Sequence, residues 1–198
     1  MIILIINMYK EQAIYRSLKI RKRLLYGLSG NKVIFKKWDD AAGIQYILKN
    51  KNVRGIIITG SDYFVGDVEH SVIDECILKS KIPILAICYG FQYLISKYGK
   101  PSFIKSCKSG YMKYYNNFSI TSPFNIPKNR YYFIHTDYVV KVPKNFKVIK
   151  RIGDKIIVAY NSKKNILCTQ FHPEKYKKSS KIFFNTWIAK CILQQPKR

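Results

Sequence analysis

Three residues in this chain carry side chains suited to covalent acyl chemistry: Cys88, His172 and Glu174. Cys88 closes the apolar run Pro83-Ile84-Leu85-Ala86-Ile87, and Gly90 follows two places later. A helix-like pattern then starts at once, carried by Phe91, Leu94, Ile95 and Tyr98. This reads as a buried strand, a tight turn and a helix, with a thiol at the corner. The N-terminus of a helix favours negative charge, and so favours the thiolate form of a thiol set against it. His172 ends a second apolar run, Ile166 to Phe171, and is followed by Pro173 and Glu174. Pro173 stiffens the turn, and Glu174, two residues on, is able to point the same way as His172. A thiol nucleophile needs an imidazole to take its proton, and the imidazole needs a carboxylate to fix its tautomer. Singly, each residue has a plainer reading: a core thiol, a satisfied surface histidine, a partner for a lysine. His70 and His135 are rival bases by residue type alone.

The elements that must position these groups alternate through the first half. Ile2 to Ile6 is a β-favouring run, and Glu11 to Leu28 reads as a helix ended by Ser29-Gly30-Asn31. Val33 to Phe35 reads as a strand, Ala41 to Leu48 as a helix capped by Asp39 or Asp40, and Val53 to Thr59 as a strand closed by Gly60-Ser61. A helix around His70 to Lys79 leads into the Cys88 strand. This alternation predicts a parallel α/β sheet with right-handed crossovers, whose ligands gather at the carboxyl ends of the strands. Gly60-Ser61 and Cys88 fall at those ends. Beyond Pro101 come strand-like segments separated by turn residues: Met112 to Tyr115, Phe118 to Thr121, Tyr131 to Ile134, Phe146 to Ile149, Ile156 to Tyr160 and Ile166 to Phe171. They predict hairpins and an antiparallel extension of the sheet. An amphipathic helix is expected from about Ser179 to Leu193.

At 198 residues and 47% hydrophobic, the chain is expected to fold as one domain over residues 1–198. No apolar run reaches membrane-spanning length, and Met1 to Ile6 is too short for a signal-peptide core, so no membrane partner is expected. The five cysteines show no paired metal-type spacing. No metal and no cofactor is expected, and a reducing cytoplasmic compartment fits. Cys168 and Cys191 read as buried thiols. The formal charge of +25 is uneven: residues 76–198 hold 24 basic and 3 acidic residues. Nucleic acid is one partner for such a surface. The favoured reading is codon bias from an AT-rich genome, since Lys, Ile, Asn and Tyr are all abundant and the lysines are scattered.

Cys88-Tyr89-Gly90-Phe91-Gln92, taken with Gln170-Phe171-His172-Pro173-Glu174, resembles the class I (triad) glutamine amidotransferases, and most closely the glutaminase part of GMP synthase. Matches between the motifs run in the same order. Gly55 to Ser61 resembles the family's strand and Gly-Gly loop, Gly110-Tyr111 a substrate-loop pair, and His135-Thr136-Asp137 the His-Gly-Asp segment. The resemblance implies a three-layer, flavodoxin-like α/β fold with a central, mostly parallel sheet. It implies glutamine as substrate, Cys88 as nucleophile, His172 and Glu174 as its base and orienting carboxylate, and oxyanion donors on the backbone of Tyr89 and the Gly60-Ser61 loop. Gln92, Gly110 and Tyr111 match glutamine-holding positions. The implied partner is a separate synthase subunit of ATP-pyrophosphatase type that accepts the ammonia.

Several positions depart from the family pattern. Ser61 and Asp62 stand for a glycine and a proline, which predicts backbone strain at Ser61. Asn7-Met8-Tyr9-Lys10-Glu11-Gln12 lacks the Gly-Gly-Gln segment, and Thr136 replaces a glycine. These departures keep two other readings open: an amidotransferase-like γ-glutamyl or amide hydrolase without an ammonia acceptor, and a weakened basic binding protein on the same fold.

Overall fold

The computed structural model describes residues 1–66, 72–107 and 110–194. Its parallel half comprises β1 (Ile2–Asn7), β2 (Lys32–Lys37), β3 (Val53–Ile58) and β4 (Ile84–Ile87). The helices of this half are α1 (Ile14–Gly27), α2 (Ala41–Leu48), α3 (Glu75–Lys79) and α4 (Tyr89–Tyr98). The second half adds β5 (Ile104–Ser106), β6 (Met112–Ile120), β7 (Ile126–His135), β8 (Asp137–Val139), β9 (Lys147–Ile152), β10 (Lys155–Asn161), β11 (Ile166–Thr169) and α5 (Lys177–Trp187). One seven-stranded sheet runs in the order β2-β1-β3-β4-β11-β10-β9. Its strands are parallel from β2 to β11, and β10 and β9 extend it antiparallel.

Strand alternation builds the layers. Along β1, Ile2, Leu4 and Ile6 join one core with Ile44 of α2, Ile77 of α3 and Phe91 and Leu94 of α4. Ile3 and Ile5 point to the other, with Leu24 of α1 and Phe183, Phe184 and Trp187 of α5. A sheet covered on both faces requires unbroken apolar strands, which explains why β1, β3 and β4 show no polar alternation. Asp40 is the residue that caps α2, accepting from the Gly43 N–H at 2.9 Å.

Four expectations need correction. Met112 to Tyr115 and Phe118 to Thr121 are one strand, because Asn116 and Asn117 stay paired with Tyr131 and Arg130 across the β6–β7 hairpin. That hairpin is a separate two-stranded sheet and does not extend the central one. The helix expected from His70 begins only at Glu75, where the Asp74 carboxylate accepts from the Cys76 N–H; His70 itself lies outside the described residues. The last helix starts at Lys177 and passes into a π turn at Ile188–Ile192. Cys168 and Cys191 are buried, as read from the sequence.

The helix after Cys88 lies so close to β3 that only glycine fits at position 90. A Cβ there would stand 2.8 Å from the Ile58 carbonyl oxygen and 3.1 Å from that of Thr59. Backbone atoms cannot swing aside as a side chain does. Gly90→Ala is expected to destabilise the fold by about 1–3 kcal/mol, read as a lower urea midpoint with unchanged slope.

Candidate active site

Strand β4 delivers Cys88 to a turn with φ +52° and ψ −106°, on the positive-φ side that non-glycine residues rarely occupy. Two hydrogen bonds hold it there. The Cys88 N–H donates to the Thr169 carbonyl at 2.7 Å, and the Cys88 carbonyl accepts from the Gln92 N–H at 3.1 Å as α4 begins. Such a corner stores strain and lifts its side chain clear of the sheet. The thiol is buried; Sγ sits 3.6 Å from the Ile134 carbonyl oxygen and 3.8 Å from the Gln170 side-chain nitrogen.

His172 arrives from the neighbouring strand. After β11 the chain crosses to the hairpin, where the His172 N–H donates to the Tyr132 carbonyl at 2.8 Å. The ring Nδ1 lies 2.7 Å from Glu174 Oε1, and both side chains are buried. With Nδ1 donating to this carboxylate, Nε2 is the nitrogen left to exchange protons with the thiol. Nε2 makes no short hydrogen bond, although the Cys88 side chain lies close enough to favour the protonated ring. Burial works against the imidazolium, but the Glu174 charge and hydrogen bond, together with the nearby Cys88 side chain, outweigh it. The pKa of His172 is therefore raised.

Gly60 closes the space between His172 and Cys88. A Cβ there would lie 3.1 Å from His172 Cε1, 3.3 Å from the Tyr9 hydroxyl oxygen and 3.6 Å from Cys88 Cβ. Ser61 does not have the left-handed backbone expected of it. The non-glycine residues with positive φ among those described are Lys81, Cys88, Asn125 and Asn165. The serine serves as a tether instead: its hydroxyl donates to the Met8 carbonyl at 2.6 Å and accepts from the Tyr63 N–H at 3.0 Å. Thr59 adds a second tie, accepting from the Met8 N–H at 3.0 Å.

A cavity of about 150 Å³ opens on Cys88. Tyr89, Ser61, Gln92 and Tyr111 line it, and so do Arg16 and Asp62, which form an ion pair with each other. That size is below the roughly 300 Å³ at which pockets for drug-sized ligands begin. Gln92 is fixed in the wall by donating to the Asp137 carbonyl at 2.5 Å. Gly110, at φ +82°, is not among the lining residues and only leads into Tyr111. His135 lines the cavity but holds its proton less tightly than His172. Burial, with the positive potential of His172, pushes its pKa down to about 4. The Asp137 carbonyl is close to its ring, yet neither nitrogen reaches a partner in hydrogen-bonding geometry.

Tyr9, Arg16 and the Ile134 carbonyl escaped the sequence reading, because each reaches the site from a distant part of the chain. Gln170 stood inside a motif without a role and proves to face the thiol. Among the described residues, no group of three or more His, Cys, Asp or Glu could hold a metal ion. Nor is any described helix long and apolar enough to cross a membrane.

The family described as glutamine amidotransferase class-I matches residues 14–190. The chain belongs to that family. Among curated relatives, it is 31% identical over 157 residues to a GMP synthase [glutamine-hydrolyzing] of Wigglesworthia glossinidia brevipalpis, covering 73% of this chain and 30% of that protein. It is 35% identical over 136 residues to the GMP synthase [glutamine-hydrolyzing] of Petrotoga mobilis, covering 62% of this chain and 25% of that one. The amidotransferase-like chain thus spans less than a third of the length of these relatives. Two solved structures share the fold. One is a Thermoplasma acidophilum protein described as a GMP synthase subunit, with TM-score 0.65, 18% identity and coverage of 96% and 94% of the two chains. The other is the glutaminase domain of Trypanosoma brucei CTPS with bound acivicin, with TM-score 0.64, 11% identity and coverage of 100% and 97%.

Because His172 holds its proton more tightly folded than unfolded, its contribution to stability is fully present below about pH 6.5. It is lost as pH rises through the raised folded value. Glu174→Gln removes the charge that raises it. The variant's imidazole is expected to titrate about 1–3 pH units lower than in the native protein, followed by NMR of the ring carbons; an unchanged midpoint would contradict the pairing.

Proposed function

We propose that the chain hydrolyses the side-chain amide of glutamine through a Cys88 thioester and supplies the ammonia to a separate synthase of the GMP synthase type. The observation that carries this reading is a Glu174-oriented His172 standing next to Cys88 across Gly60, with Cys88 itself opening on a small cavity. With the thiol proton already held on His172 Nε2, Sγ attacks the amide carbon, and the carbonyl oxygen becomes an oxyanion. Backbone N–H groups of Tyr89 and Ser61 are the donors proposed for it, each worth about 3 kcal/mol when preorganised. The imidazolium then protonates the amide nitrogen, the C–N bond breaks and ammonia leaves. Water, deprotonated by the same nitrogen, attacks the thioester; glutamate departs, and Sγ is left beside the reprotonated His172 as at the start.

The head group of glutamine carries one positive and one negative charge. Arg16 and Asp62 offer the complementary pair on the pocket wall, with Arg16 facing the α-carboxylate and Asp62 the α-ammonium. Their mutual ion pair holds them in place before substrate enters. Gln92 and Tyr111 shape the channel between that end and Cys88.

Ammonia release from glutamine measures the reading directly. Cys88→Ala is expected to lose at least about a thousandfold in kcat, and equal rates in variant and native protein would sink it. Arg16→Ala is expected to raise KM about 10- to 100-fold, the worth of a hydrogen bond to a charged group, with kcat changed only a few-fold. A drop in kcat with unchanged KM would instead place Arg16 in the chemical step.

A further inference from the structure

A second cavity, about 170 Å³, reaches His172, which the cavity at Cys88 does not, and shares Arg16 and Ile134 with that cavity. Its walls are cationic: Lys19 and Arg23 project from α1, and Lys175 follows Glu174. These charges press on one another. Burial lowers the proton affinity of Lys175, and the positive charges of Arg23, Lys19 and Lys113 of β6 lower it further. Among the described residues, none of the four pairs with a carboxylate, whereas Lys36, Lys37 and Lys79 do. Lys175 rests over the Tyr132 ring at 4.7 Å, and Lys19 lies 5.8 Å from that of Tyr15. Cations of α1 and Lys175 thus line one opening, with Lys113 close enough to act on Lys175.

The same helix shows a second, independent signal. A surface helix normally turns its apolar stripe to the core. Along α1, however, Ile14, Tyr15 and Leu18 are 65%, 77% and 52% exposed. Exposed aliphatic and aromatic side chains beside unneutralised cations match the mixed composition of protein interfaces. Duplex binding is carried mainly by phosphate neutralisation, which leaves the exposed aliphatic Ile14 and Leu18 without a role.

We propose that α1, with Lys113 and Lys175, forms a docking face for an acidic protein surface. That the partner is the ammonia-accepting synthase rests on the function proposed above. The placement suits such a partner: ammonia released at Cys88 leaves beside His172, and the cationic cavity opens at His172. Docking there would cover the opening and neutralise the cluster. It would also bury Ile14, Tyr15 and Leu18.

The test uses the whole chain with poly-L-glutamate as the acidic probe and a short duplex DNA as the competing class, both followed by fluorescence anisotropy at physiological ionic strength. The double variant Lys19→Glu/Arg23→Glu is expected to bind poly-L-glutamate at least about tenfold more weakly than the native chain. Lys113→Glu, from a different element, should weaken it in the same direction. The control Lys144→Glu/Lys147→Glu, which makes the same change in net charge on exposed positions elsewhere, should bind like the native chain. Carbodiimide cross-links should concentrate on Lys19, Lys113 and Lys175. Equal loss in both double variants would assign the binding to net charge and overturn the proposal. So would a preference for duplex DNA that the α1 variant abolishes. Ammonia release is measured alongside and should stay within about twofold in the α1 variant, since neither residue belongs to the catalytic set. If Cys88→Ala leaves ammonia release intact while binding still follows the α1 charges, the catalytic reading fails and the docking face stands.

Discussion

Parallel pairing of β4 with β11 is the constraint on which the site depends. Their register places Ile87 opposite Thr169, so both strands finish at the same level. Cys88 comes next on one side, and Gln170, Phe171 and His172 on the other. The bond from the Cys88 N–H to the Thr169 carbonyl continues this pairing one step beyond the strand and fixes the turn. In a sheet with period two, a slip of one residue would turn every side chain of β11 to the opposite face. Cys168 would leave its core, and the base would no longer stand beside the thiol. Both four-residue strands are buried along their whole length, which resists that slip.

What the pairing brings together, the surrounding shell keeps in a usable ionic state. A buried imidazole would ordinarily shed its proton, as His135 does when burial and a nearby positive charge push its pKa to about 4. His172, equally enclosed, behaves oppositely because Glu174 sits 2.7 Å from its ring. Two histidines within one site are thus divided by a single carboxylate. Tyr9 adds to this contrast: burial and the charges of Glu174 and Cys88 push its phenol well up, so it remains a neutral hydroxyl beside Gly60. The loop that faces the thiol gains its order from Ser61 and Thr59, whose hydroxyls tie it to the segment after β1. The departure from glycine at position 61 therefore supplies a tether and leaves the backbone outside the left-handed region.

Charge in this protein has two scales. The excess of lysine is a property of composition and speaks to solubility and association. The arrangement around α1 is a property of the fold, since Lys19, Arg23, Lys113 and Lys175 come from three separate segments of the chain. The same holds for Arg16 and Asp62, 46 residues apart, which meet on the wall of the cavity at Cys88. Both sets are invisible to any count along the chain.

Much of the fold and the core of the site was legible in the residues themselves. Cys88 could be placed at a strand-to-helix corner because apolar run, turn and helical spacing are all local, and Glu174 follows His172 by two residues. The bounds of α2 were readable for the same reason, with Asp40 and the apolar spacing both lying inside the helix neighbourhood. Interactions between distant segments decided the rest. Asn116 and Asn117 stay in β6 only because β7 pairs with them, and the hairpin stands apart from the main sheet because its apolar face packs on Phe171 and Phe183. Tyr9, Arg16 and the Ile134 carbonyl join the site across long sequence separations that no local pattern encodes. The sequence by itself therefore determined which atoms are able to react. Tertiary structure decided which side chains line the cavity at Cys88, which histidine holds its proton and which cations gather beside α1, because those depend on distance through space and on exclusion of water.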